Sequence, residues 1–295
     1  MIYKTTGTRV FNVFNYIIFI IVCLSCILPF VHLLAVSFSS NVAVQTGAVR
    51  FWPVDFNLDA YRFTFSDGRF MRAAWISVQR VVLGLTVNML LITLTAYPLS
   101  HEKTKLFGRN IYMAFFVFTM LFSGGLIPTF ILVSSLGLLN NIWALILPGA
   151  LPIFSMIIMM NFIRGLPHEL QESAMIDGAG SITILFKIML PLLKPCLATL
   201  ALFSIVGHWN AWFDGLIYMQ DPNRYPLQTY LQFLLLRMEQ IIMMAGGDMV
   251  ALLARLNAQT GRAAQLFMGA IPVLIVYPFL QKYFTTGLVL GSVKG

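Results

Sequence analysis

The feature that most constrains the fold is where charge is missing. From Val10 to Val49, and again from Asn110 to Ile163, the chain carries no Lys, Arg, Asp or Glu. A soluble domain cannot hide stretches of that length, because any helix or strand packed on one core returns to the surface every few residues. The first run, Phe11 to about Val36, is long enough to cross a bilayer with some tilt. The second would reach about 80 Å as one straight helix, so it must fold back at least once. The sequence Gly137 to Asn141 (GLLNN) supplies the turn. That gives spans at about 109–136 and 142–163, with Pro128 and Pro148 as kinks. Apolar runs at about 73–99, 187–218 and 263–284 bring the expected number of spans to six. With 59% apolar residues, 10% charged residues and a mean hydropathy of +0.83, the chain reads as an all-α membrane protein.

Lys4 and Arg9 ahead of an apolar run also suit a secretory signal. The apolar core of such a signal is only about 7–15 residues, however, so a retained span is expected. Cys23 and Cys26 have CxxC spacing inside this span, with Cys196 far away and no further Cys or His ligands around them. They read as small buried thiols in a helix. Residues 37–72 form a polar, aromatic-rich loop in which Phe51-Trp52-Pro53 and Tyr61 suit an interfacial aromatic belt. Arg80 falls in the outer end of the second span, where it can snorkel or face a watery cavity. With six spans both termini share one side. All seven lysines fall there, and that side holds ten Lys and Arg against four acids; the other holds nine Arg against seven acids. The positive-inside tendency makes the lysine side cytoplasmic. The net charge of +8 therefore reflects loops at a membrane, and no basic cluster interleaved with aromatics points to nucleic acid.

The most polar passage in the middle of the chain is Pro167 to Pro195, PHELQESAMIDGAGSITILFKIMLPLLKP. Pro167 suits a first turn, Glu169 and Glu172 suit a helix start, and Gly178 suits a left-handed C-cap. The spacing predicts a helix of roughly eleven residues, about 16 Å, too short and too polar to cross a bilayer. Ser173, Ala174 and Asp177 would give it a face of little bulk for a partner's groove, and Ser181 can cap a second short helix. Read without any family, this is an amphipathic interfacial helix between two spans.

Glu172-Ser173-Ala174, three residues, Gly178, nine residues, then Ile188-Met189-Leu190-Pro191 resembles the EAA motif of ABC-importer permease subunits, E-A-A-x3-G-x9-I-x-L-P. The one departure is Ser173, nearly as small as alanine. The resemblance implies a type I ABC-importer permease fold with a cytoplasmic coupling helix, here the loop 167–191. Glu172, Ser173, Ala174, Asp177, Gly178, Ile188, Leu190 and Pro191 become the candidate ATPase-coupling residues. The resemblance extends over spans two to six. The first span, Pro272 to Phe284 and the ending GSVKG look like the six-span subunit of maltose-transporter-type sugar permeases, in the branch importing complex oligosaccharides, including pectin- and alginate-derived ones. It divides the chain into an N-terminal helix and outer loop (1–72), a five-helix core (73–284) and a cytoplasmic tail (285–295). It implies a bacterial cytoplasmic membrane, a second homologous permease subunit, a pair of ATPase subunits that use ATP and Mg, and an extracytoplasmic solute-binding protein touched by 219–262. No cofactor is implied on this chain.

Candidates for a translocation pathway are His208, Trp209, Asn210 and Asp214 in the fifth span, a polar cluster beside aromatics. Polar groups at membrane depth face a cavity or another helix, so cargo contact and interhelical bonding both fit. The outer arginines 50, 62, 69, 72, 224, 237, 255 and 262 suit an acidic oligosaccharide, or equally solvated loop charge and docking contacts. An ion-coupled secondary transporter is the alternative class; it expects intramembrane acids and inverted repeats, and Asp214 is the only acid near a span core. The chain has no GxxxxGK[ST] stretch, and its histidines (32, 101, 168, 208) have no metal-ligand spacing, so neither ATP hydrolysis nor a metal or catalytic site has a basis in it.

Overall fold

A computed structural model of the protein describes residues 6–66, 68–101, 106–167, 169–244 and 259–292. Lys103 and Lys105 of the basic loop, His168, part of the outer segment (245–258, with Arg255) and the ending Val293-Lys294-Gly295 lie outside the described residues. The main helices are α1 (Thr6–Ser37), α2 (Gly68–Ser100), α3 (Arg109–Leu121), α4 (Leu126–Ser135), α5 (Ile153–Arg164), α6 (Glu169–Ile176), α7 (Ser181–Leu192), α8 (Lys194–Asn210), α9 (Phe213–Tyr218), α10 (Leu227–Met244) and α11 (Gln259–Ser292). Among the described residues α1 and α2 are each long and apolar enough to cross a membrane. Three bent pairs raise that number to five: α3 with α4, Ile142–Gly149 with α5, and α7 with α8. The sixth expected span lies within α11, which continues as helix through 285–292 instead of releasing a tail at Phe284.

The bends have local causes. The α3–α4 pair turns by 113° at the Gly124-Gly125 break, where Gly125 takes φ +91°. Pro128, expected to be the kink, instead sits in the first turn of α4, where a missing N–H leaves no bond unmade. Pro148 lies in a short 3-10 turn, Leu147–Gly149, just ahead of a 49° bend. The fifth expected span is broken twice. Residues 184–189 widen into a π turn, and the chain bends by 81° between α7 and α8. Pro191 and Pro195 flank that bend: Pro191 removes an i→i−4 donor, and Pro195 sits in the first turn of α8, where none is lost. Ala211 and Trp212 then interrupt the helix before α9.

The described residues divide into two compact units. One draws on Arg72–Phe233 and Pro272–Gly295. Its core gathers Ala96 and Tyr97 of α2, Met156, Met159 and Met160 of α5, Ala174 of α6, Ile184 and Met189 of α7, and Leu193, Cys196 and Leu200 at the α8 start. Helices in lipid associate by close packing, not by escape from water, and methionine fills the irregular gaps these bent helices leave.

The other unit draws on Met1–Met71 and Leu234–Ile271. The loop 37–72 is a folded cap with two short helices, Asn41–Gln45 and Asp59–Ser66. Phe38 stacks on Phe56 and Tyr61 at 5.3 and 4.8 Å, and His32 Nδ1 meets the Arg50 carbonyl at 2.6 Å. Trp52 stands 82% exposed, as a belt residue would. Thr260 donates to Asn41 at 2.6 Å. Contacts of this kind group Leu234–Ile271 with Met1–Met71. The expected polar segment 219–262 contains the 18-residue helix α10. Cys23 and Cys26, expected to be buried, are exposed on α1.

Candidate coupling helix and membrane polar cluster

The helix α6 is eight residues long, shorter than the roughly eleven expected. Its C-terminus is closed as the glycine suggests. Gly178 takes φ +81°, its N–H donates to Met175 O at 3.0 Å, and the Ala179 N–H reaches Ala174 O at 2.9 Å. This pair of bonds is a Schellman motif, and the left-handed residue inside it favours glycine. Ser181 is the first residue of α7, whose N-cap is Gly180 without a side-chain bond.

The two faces of α6 differ. Gln171 and Ala174 are buried, Ala174 within the methionine-rich core. Glu172, Ser173, Met175, Asp177 and Gly178 are exposed, and Ile176 is 87% exposed. Ala174 therefore does not share an outward face with Ser173 and Asp177. Its small size lets α6 settle closely on its own bundle. Downstream, Ile188 packs against the core, Leu190 is half-buried, and Pro191 is exposed.

The second cluster lies among α2, α5, α8 and α9. A cavity of about 440 Å³ is lined by Arg80, Asn88, Ser155, Ser204, His208 and Asp214 with apolar neighbours. Arg80 is an ion-pair partner of Asp214 through its terminal nitrogens, one contact at 3.1 Å. The same guanidinium donates to Ala211 O at 3.2 Å and Leu145 O at 3.4 Å, which ties α2 to the breaks flanking α8 and α5. Its Nε is the buried side-chain atom without a hydrogen-bond partner among the described residues. Asn88 turns its amide nitrogen to Gly84 O and Ala150 O at 3.0 and 3.1 Å and its oxygen to Ser204 Oγ at 3.1 Å. The His208 ring lies 3.3 Å from that amide and against Gly84, where any Cβ would come within 2.3 Å of Nε2. Chemically the cluster can hold helices together and present hydroxyl, imidazole and carboxylate groups to a cavity. Its one strong cation is already neutralised.

The family of binding-protein-dependent transport system inner membrane components matches residues 94–288. The chain belongs to this family. The permease is 42% identical to the polygalacturonan/rhamnogalacturonan transport system permease protein YtcP of Bacillus subtilis, over 97% of this chain and 99% of that protein. It is 40% identical to Protein LplC of the same organism, over 99% and 98% of the two chains. Among solved structures it is similar to a chain of a bacterial ABC transporter involved in the import of the acidic polysaccharide alginate. There the TM-score is 0.84 with 31% identity, covering 96% of this chain and 100% of that one. The permease is thus a membrane-spanning subunit of an ABC importer and not an enzyme; the ATPase is a separate subunit. The ion-coupled alternative has no support.

Of the four pathway candidates, the permease brings His208 and Asp214 to one cavity. Trp209 is buried and Asn210 exposed, and neither lines it. Successive helical residues point about 100° apart, so three in a row cannot share one wall. Arg80 and Asn88 were missed as cluster members. A lone cation in span two and a lone acid in span five were the available signal, since charges at membrane depth pair.

Proposed function

We propose that the permease is the membrane subunit of an ATP-driven importer of acidic oligosaccharides released from polysaccharides of the pectin or alginate kind, and that α6 is its docking element for the ATPase pair. The observation that carries the docking role is the exposed outer side of α6 and its C-cap, Glu172, Ser173 and Met175 to Gly178, held on the bundle by Gln171 and Ala174. Docking requires that side to face the cytoplasm, which the lysine distribution supports. Both chain termini then lie on the same side. A second, homologous permease completes the pathway, and an extracytoplasmic binding protein delivers cargo to the outer loops.

ATPase closure would move α6 and tilt the bundle between inward and outward access. The cavity holding His208 and Asp214 would form part of this chain's wall of the pathway, offering hydrogen bonds to sugar hydroxyls. With Arg80 paired to Asp214, preference for acidic cargo would rest on the exposed outer arginines Arg50, Arg69 and Arg72 and on the binding protein.

The test is ATPase activity of the reconstituted complex with its binding protein, comparing oligogalacturonides with neutral maltooligosaccharides. Stimulation by the acidic series alone is expected. Equal stimulation by both, or by the neutral series alone, would refute the cargo assignment.

A further inference from the structure

The inner face of α6 makes a polar contact that packing alone does not require. Gln171, buried on that face, meets Nε2 of His101 through its side-chain amide. His101 directly follows α2, and its Nδ1 lies 2.8 Å from Tyr97 O. Its ring stands edge-on to Tyr97 at 4.8 Å. A buried glutamine is costly unless its amide is matched, so this contact fixes the rotation of α6 about its axis.

The end of α2 that receives it is built as a junction. Arg109 Nε, from the start of α3, donates to Leu99 O at 2.9 Å, and Arg164 Nε, from the end of α5, donates to Ser100 O at 3.2 Å. Last-turn carbonyls have no intrahelical donor, and cations there also match the helix dipole. Two elements, α3 and α5, are thereby clamped to one helix end, and α6 joins them through His101. From that end α2 runs about 30 Å, at 1.5 Å per residue, to Arg80. Arg80 holds the loops beside α8 and α5 through Asp214, Ala211 and Leu145.

We propose that Gln171 and His101 are positioning residues of the transport cycle: their contact transmits the displacement of α6 to α2, and α2 carries it to the Arg80–Asp214 cluster. Neither residue touches cargo. The inference rests on the reading of α6 as the ATPase-docking helix. It makes the Gln171–His101 contact, and not the apolar seat of Ala174, the element that couples the two motions.

The experiment is transport per ATP hydrolysed, measured on the complete importer in vesicles with loaded binding protein. Variants Gln171→Leu and His101→Phe keep the bulk of each side chain and the Tyr97 stacking. Each is expected to lower the ratio about tenfold, within the 5–150-fold span of typical coupling, with the ATPase subunit still co-purifying. The double variant should be no worse than either single, because both remove one contact. The exchange His101→Gln with Gln171→His, which restores an amide–imidazole contact, should recover most of the ratio. A packing defect would lower assembly and would not respond to the exchange. An unchanged ratio in the single variants, singles whose effects multiply in the double, or an exchange that recovers nothing, would overturn the proposal. Loss of ATPase co-purification from the wild-type permease would instead refute the docking reading.

Discussion

Asp214→Asn is expected to destabilise the permease more than removal of its partner Arg80, and the structure sets the order. The Arg80 side chain is 3% exposed and that of Asp214 28% exposed. Removing the carboxylate leaves a buried guanidinium without a counter-ion, a change that costs about 3–5 kcal/mol in buried pairs. Arg80 keeps the Ala211 and Leu145 carbonyls, and asparagine keeps one acceptor, which sets the loss near the lower end, about 3 kcal/mol. Arg80→Met leaves Asp214 on the cavity wall, 28% exposed and still accepting the Gly215 N–H at 2.9 Å. One under-satisfied acceptor costs about 1–3 kcal/mol. The double variant buries no unpaired charge and should come within about 1 kcal/mol of the wild type. The assay is the midpoint of thermal inactivation of the purified permease in one detergent. At about 2–4 °C per kcal/mol for a unit of this size, Asp214→Asn should lose roughly 6–12 °C. A double variant less stable than Asp214→Asn, or Arg80→Met as the worst of the three, would refute the ion-pair argument.

Gly84→Ala places a Cβ 2.3 Å from His208 Nε2, and overpacking of this kind costs about 1–3 kcal/mol. His208→Ala in the same chain should restore the thermal midpoint lost by Gly84→Ala alone. Gly178 has open space around its Cα but a left-handed backbone, so Gly178→Ala should lower transport through roughly 1–2 kcal/mol of strain. Gly178→Asn should be milder in the same uptake assay, because asparagine visits that region more readily. Ala174→Leu should lower the stability of the isolated permease by about 1–3 kcal/mol, since it enlarges a buried side chain in the core. Ser173→Ala, at an exposed position, should leave the thermal midpoint unchanged.

Much of the architecture was legible because charge and turn chemistry are local. The two charge-free runs located the spans, and Gly137 and Asn140 both take positive φ in the turn expected from GLLNN. Gly178 announced a left-handed cap, and the structure closes α6 there. The breaks were less visible. A π turn at 184–189 has no sequence signature, and Gly125 redirects the chain through its own conformation while Pro128 rests harmlessly in a first turn. Ala174 shows a second limit: a small residue fits a docking face and a tight core equally well, and only burial decides between them. The Arg80–Asp214 pair joins residues 134 apart in sequence. Charge at membrane depth pointed to a partner without saying which.

The most direct test of the docking role for α6 is a substitution at its apex that leaves the bundle untouched. Ile176 is 87% exposed. Ile176→Glu should insert and fold with an unaltered thermal midpoint while the ATPase subunit is lost from the tagged permease and stimulated ATPase activity falls to background. Full recovery of the ATPase subunit with undiminished stimulated activity would contradict the account.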